Sequence, residues 1–162
     1  MNFKNNEIRI FYSLFYYLDY IIIMWVFSKS ESDIILQEYS KNPVKNFEME
    51  DFTVKYHEWN FICGDDITVF LLIEGGIVKD YSYIWNTSTV SLASAWFISE
   101  FVIWEKVKNL LNRDYDFLIK NWLDVSKKRK RAASLPILAI KNAIHEYLDD
   151  GKIEDFDDII DN

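Results

Sequence analysis

The stretch from Ile67 to Ile84 constrains this chain most, because its pattern fits one local structure and little else. Ile67, Val69, Leu71 and Ile73 alternate with Thr68, Phe70, Leu72 and Glu74, the period of a strand with one deeply apolar face and a second that is only partly polar. Gly75-Gly76 comes next. Two-residue hairpin turns need positive φ, which glycine adopts without steric cost. Ile77 to Ile84 then returns as the partner strand, and residues 52–58 alternate in the same manner to supply a first one. The expectation is a meander of three antiparallel strands.

The chain beyond Ser88 is expected to be helical. Val90 to Trp104 is apolar with small Ala93, Ser94 and Ala95 inside it, which suits a helix packed closely across the sheet. Tyr115 to Leu123 reads as a second helical segment. Ser134 is expected to cap a third, with Pro136 in its first turn, a buried stripe of Ile137, Ile140, Ile144 and Tyr147-Leu148, and Gly151 as its terminator. Ahead of the sheet, Ser32-Asp33 can cap a short helix over Ile34 to Tyr39 that Asn42-Pro43 stops. The fold class expected is α+β, a small three-stranded antiparallel sheet packed against helices.

Residues 1–30 form an apolar N-terminal extension. The run 10–27 has about the length of a membrane span, but Asp19 lies in its middle, and a central carboxylate costs roughly 2.5–3.5 kcal/mol on insertion scales. A signal peptide's charged start and small-residue cleavage site are not convincing either. Three readings stand: an extra apolar helix that is buried or partner-bound, a membrane anchor, which the carboxylate disfavours, and a start of translation at Met24 that makes residues 1–23 an artefact. Residues 31–150 are expected to form one domain, and half the chain is hydrophobic, ample for a core. The acidic tail 151–162, with the residues from Asp149 that lead into it, is expected to be solvated and frayed.

Net charge is −8, which argues against nucleic acid as a partner. The single cysteine excludes an intrachain disulfide framework and points to a reducing compartment, the cytoplasm by default. That cysteine stands in Cys63-Gly64-Asp65, where a thiol and a carboxylate two positions apart can reach one metal from a tight turn. One thiol cannot build a cysteine-rich site alone. Asp65 beside Asp66 has no catalytic partner at suitable spacing, so no enzyme is read here. His57 and His145 are lone histidines, better explained as surface or core residues than as ligands, His57 being the better candidate because it lies six residues before Cys63. Lys127-Lys128-Arg129-Lys130-Arg131 is a basic run in an acidic protein, read either as a solvated helix face or as a docking patch.

The order Tyr39-Ser40-Lys41-Asn42-Pro43, Asn60-Phe61-Ile62-Cys63-Gly64-Asp65-Asp66-Ile67, Gly76-Ile77-Val78-Lys79-Asp80 and Ala93-Ser94-Ala95 resembles the U-type iron–sulfur cluster scaffolds (IscU, SufU, the NifU N-terminal domain) over residues 33–148. The resemblance implies a small antiparallel sheet covered by helices and a role in assembling or passing on Fe–S clusters. It also implies cysteine desulfurase and Fe–S recipient proteins as partners, with the basic run docking the desulfurase. Matched position by position, the first family cysteine is Cys63 and the family aspartate is Asp65. The second family cysteine falls on Ser88 and the third on Ala132, so two thiolates are missing. Fe–S clusters ordinarily draw about four ligands, most of them thiolates.

Tryptophan replaces glycine in the pattern. The chain has 4 Gly and 6 Trp, whereas glycine averages about 7%. Trp85 and Trp104 occupy family glycine positions, Trp59 a spot where glycine commonly stands, and Trp25 and Trp122 lie at expected helix ends. Tryptophan has no conformational advantage there. The expectation is that the source reads UGA as glycine, which would raise glycine from 4 to 10.

Two functions remain. In the first, Cys63, helped by Asp65 and with Ser88 at the same site, holds a cluster or a Zn or Fe ion, or accepts sulfur as a persulfide, with a homodimer able to pair two sites. In the second, a metal-free relative acts as an adaptor or regulator of a cysteine desulfurase.

Overall fold

The structure, a computed structural model, describes residues 33–160 apart from 35, 42, 87 and 122. The apolar run 10–27, Met24, Trp25, Ser32, Asn42 and Trp122 therefore lie outside the described residues. The meander is present: β1 (Val54–Asn60), β2 (Asp65–Glu74) and β3 (Ile77–Asn86) pair antiparallel in that order. Gly75 and Gly76 turn the hairpin with φ of 58° and 73°, the double positive φ that a primed turn demands. One face is apolar throughout. Ile67, Val69 and Leu71 of β2 stand opposite Trp85, Tyr83 and Tyr81 of β3, all of them buried except Trp85, which is half-buried.

The other face explains why its pattern is only partly polar. Asn46 bridges to Tyr83 at one edge of the sheet, and Thr53 donates to the Leu71 carbonyl at the other, so residues between them cross this face. Phe52 lies edge-on to Phe70 with ring centroids 5.4 Å apart, and Phe70 is buried as a result.

A short helix α1 (residues 33–34 and 36–41) leans on α2 (Thr89–Val102) through Tyr39, whose ring sits 4.4 Å from Trp96 and whose hydroxyl donates to Glu100 Oε1 at 2.7 Å. Then come α3 (Val107–Leu110), α4 (Tyr115–Lys120), a 3₁₀ turn (Lys127–Arg129), α5 (Lys130–Leu148) and α6 (Phe156–Ile160). Helix α5 lies across β1 and β2 and against α2, with Leu135, Leu138, Ala139, Ala143 and Ile144 buried in the shared core. Each fully buried aliphatic side chain contributes about 1.5–3 kcal/mol relative to exposure. Among the described residues no helix is long and apolar enough to cross a membrane.

Three local expectations are corrected. Helix α5 begins at Lys130, so Ser134 is a buried interior residue and Pro136 lies beyond the first turn; burial of Ala132 and Ala133, good helix formers, overrides the local cap signal. The left-handed residue ending α5 is Asp149, at φ 51°, two positions before Gly151. The segment after it is not frayed up to residue 160. Phe156 and Ile159 are 5% and 1% exposed, and Glu154 takes its backbone N–H to Asn142 Oδ1 at 2.8 Å.

The described tryptophans divide. Trp104 has φ 71° and is 69% exposed, and this left-handed turn brings the chain back to the hairpin, where Trp104 N–H donates to the Val78 carbonyl at 2.7 Å. Trp85 buries an indole N–H that has no partner among the described residues. Trp59 is largely exposed at the end of β1, without positive φ, and Trp96 is a packing residue in α2. A side chain at left-handed φ costs about 1–2 kcal/mol, offset in part by the Lys79 ammonium 4.5 Å from the Trp104 ring. Trp104→Gly is therefore expected to raise stability by about 0.5–1 kcal/mol in urea unfolding. Mass spectrometry of the protein from its source organism is expected to find glycine at 104 and 85; a peptide carrying intact Trp104 contradicts the recoding.

Candidate functional site

Cys63 sits on the loop joining β1 to β2, and Asn60 shapes that loop. The Asn60 carbonyl accepts from Cys63 N–H at 3.2 Å and from Gly64 N–H at 2.9 Å, while its side-chain Oδ1 accepts from Ile62 N–H at 3.3 Å. Gly64 closes the turn at φ 78°. The thiol is left exposed, its Sγ 3.8 Å from the Asn60 carbonyl oxygen.

Asp65, the first residue of β2, is 5% exposed and reaches across to the start of α2. Its Oδ1 accepts from Ser88 N–H at 2.8 Å, and its Oδ2 accepts from Ser88 Oγ at 2.9 Å and from Ser91 Oγ at 2.8 Å. Ser88 is the N-cap of α2, yet its own side chain makes no capping bond. Asp65 supplies the cap from a distant strand. An anion is well placed there, because the N-terminal N–H groups of a helix carry partial positive charge.

These contacts set the ionisation of the pair. Burial on its own would raise the Asp65 carboxyl, but donation from Ser91, from Ser88 Oγ and from Ser88 N–H holds it below the ordinary carboxylate value. Partial desolvation, and after it the neighbouring Asp65 carboxylate, push the Cys63 thiol above its ordinary value despite the Asp65 backbone N–H.

Cys63, Asp65, Ser88 and Ala132 line one cavity of about 790 Å³, so the positions matched in sequence meet in space. Ala132 contributes only a methyl group. Lys128, Arg129 and Arg131 line the same cavity. Ile62 lines it too, and Trp59, Phe61 and Ile62, just ahead of Cys63 in the chain, are exposed by 57%, 70% and 66%, an apolar rim on the β1–β2 connection.

Neither histidine joins the site. His57 faces Asp66 at 3.7 Å on the exposed side of β1, and His145 is buried between Asp150 and Glu154. His145 lies thirteen positions along α5 from Ala132, roughly 20 Å at the rise of an α-helix. Among the described residues no group of three or more His, Cys, Asp and Glu side chains gathers as a metal site. Sequence reasoning passed over Ser91 and Asn60. The spacing Ser88-x-x-Ser91 at a helix start was the available signal for the first; the second heads the motif around Cys63 that carried the resemblance but was given no role there.

The sequence model of the NifU-like N terminal domain matches residues 30–154. The iron-sulfur cluster assembly scaffold protein IscU of Thermotoga maritima is 33% identical over 87 residues, covering 54% of this chain and 61% of that protein. The chain thus spans about three fifths of the length of this relative. Among solved structures, FiSufU of Fervidobacterium islandicum AW-1 has a TM-score of 0.61 at 19% identity, covering 68% of this chain and 93% of that one. A nitrogen-fixing NifU-like protein (N-terminal) from Brucella abortus also has a TM-score of 0.61, at 18% identity, with 73% and 94% covered. Those two likenesses establish the shared fold.

Asp65→Asn is expected to cost about 1–3 kcal/mol in urea unfolding at neutral pH, the penalty for disturbing a buried hydrogen-bonded carboxylate. Because the folded-state carboxyl is depressed, its contribution is complete above the ordinary carboxylate pKa near 4 and is lost as pH falls through the lower folded value. The gap between parent and variant should accordingly shrink on acidification below about pH 4. An unchanged gap contradicts the capping role.

Proposed function

The chain belongs to the family of NifU-like N-terminal domains, and on that premise we propose that it is an iron–sulfur cluster assembly scaffold protein whose working atom is the Cys63 sulfur. The observation that carries this is the meeting of Cys63, Asp65, Ser88 and Ala132 in one open cavity. The cluster would be cargo. The residues present do not fit a cluster held by one subunit: Cys63 offers the single thiolate, Asp65 accepts three hydrogen bonds from its own fold, the Ser88 hydroxyl stays protonated near neutral pH, and Ala132 has no donor.

What the site does fit is sulfur acceptance. The Cys63 thiol loses its proton and attacks the terminal sulfur of a donor persulfide; a new S–S bond forms on Cys63, the donor's S–S bond breaks, and the donor departs as a thiol carrying that proton. No net oxidant is needed. The chain acts stoichiometrically as a carrier rather than by turnover. The exposed apolar rim and the basic run suit docking of a cysteine desulfurase in the cytoplasm, with Fe–S recipient proteins following. A second copy could bring a second Cys63. A metal-free adaptor is the other reading, favoured by the engagement of Asp65 in the α2 cap.

Incubation of anaerobically purified protein with a cysteine desulfurase and cysteine is expected to add one sulfur atom to the parent and none to Cys63→Ser. Equal uptake by both sinks the acceptor reading. Uptake should quicken as pH rises past the ordinary thiol value near 8.5, following the raised Cys63 thiol. Stoichiometric Fe or Zn that is lost on Cys63→Ser would support metal holding, whereas metal-free protein that binds the desulfurase without accepting sulfur selects the adaptor.

A further inference from the structure

The basic run beside Cys63 already has an occupant. Arg131, which lines the thiol's cavity, points its guanidinium at Asp157 Oδ1 at 3.1 Å and lies 5.1 Å over the Phe156 ring. Both partners belong to α6. Asp155 and Asp158 cap that helix: Asp155 Oδ1 accepts from Asp157 N–H at 2.8 Å, and Asp158 Oδ2 accepts from Asp155 N–H at 2.9 Å. Asp157 is thus turned outward, its side chain 74% exposed, where it meets the arginine.

The segment leading to α6 is held in place independently. Glu154 pairs with Lys141 and with His145 Nε2 at 3.1 Å, its carbonyl accepts from Asn142 Nδ2 at 3.1 Å, and Asp150 lies 2.9 Å from His145 Nδ1. Phe156 and Ile159 are buried against the body. An acidic arm is therefore fixed at one side of the cavity mouth. It neutralises one of the three cations that line the cavity among the described residues, where Asp33 also lies, and pairs with neither Lys128 nor Arg129.

We infer that this arm is an intramolecular acidic ligand of the basic surface beside Cys63, and that the partner the surface fits is an acidic peptide segment, which competes with Asp157 for Arg131. The inference rests on the reading of the basic run as a docking patch. An exposed ion pair contributes little, so the arm tunes the approach of anions rather than blocking it.

The test uses the full chain and two disulfide reagents for Cys63: dianionic dithiobis(nitrobenzoate) and neutral dithiodipyridine. The ratio of their rates reads the field at the thiol and cancels changes in thiol ionisation. Asp157→Asn is expected to raise this ratio about two- to fivefold at low salt, an effect gone near 1 M salt, where the Debye length is about 3 Å. Hexaglutamate should slow the dianionic reagent and should do so at correspondingly lower concentration in Asp157→Asn. Arg131→Gln serves as the control and should lower the ratio. If Arg131→Gln leaves the ratio unchanged, the docking-patch reading itself fails. If Arg131→Gln lowers it while Asp157→Asn, with or without hexaglutamate, behaves as the parent, the arm inference alone is overturned.

Discussion

The carboxylate of Asp65 joins the two halves of this molecule. It is fixed in sequence two positions after the thiol and fixed in space at the N-terminus of α2, through Ser88 and Ser91. The sheet supplies one side of the site and the helix the other. A helix start packed against a sheet leaves backbone N–H groups that need an acceptor, and here the acceptor comes from a strand rather than from the helix's own first residue. The Cys63 turn therefore cannot move without disturbing the α2 cap.

That same bond limits the chemistry. A carboxylate that accepts three hydrogen bonds and is held below its ordinary pKa is well satisfied where it stands, and a metal would have to displace those donors. Cys63 is then the group with the fewest obligations: exposed, on a turn held by Asn60, and in a cavity that Ile62 and three cations also line. A lone thiol in such a setting carries sulfur more readily than it carries a cluster. Cluster-bearing sites need several thiolates, and the cavity wall offers a serine and an alanine in their place.

How much of this was legible in the sequence depends on range. The hairpin was legible because its signals are local: period two, then Gly75-Gly76, then period two again, and the register bears it out. The match of Cys63, Asp65, Ser88 and Ala132 to one site was legible through the order of spaced motifs, and the cavity gathers all four. The engagement of Asp65 was not, since its serine partners lie 23 and 26 residues away and nothing local announces them. Composition misled at the C-terminus, where counting aspartates hid the spacing of Phe156 and Ile159 that plants α6 on the body. A local cap signal misled at Ser134, because burial of the alanines before it extends α5 backward. Trp104 is the reverse case: a residue out of place in the pattern proved to sit at a left-handed backbone position.

The most direct test of this account is the amount of sulfur that folded Asp65→Asn protein accepts at completion from a persulfide donor. If Asp65 is architectural and Cys63 alone handles sulfur, the variant takes up one sulfur atom per chain, as the parent does, despite its lower stability. A folded variant that takes up none would contradict the account and place Asp65 among the groups that handle the cargo.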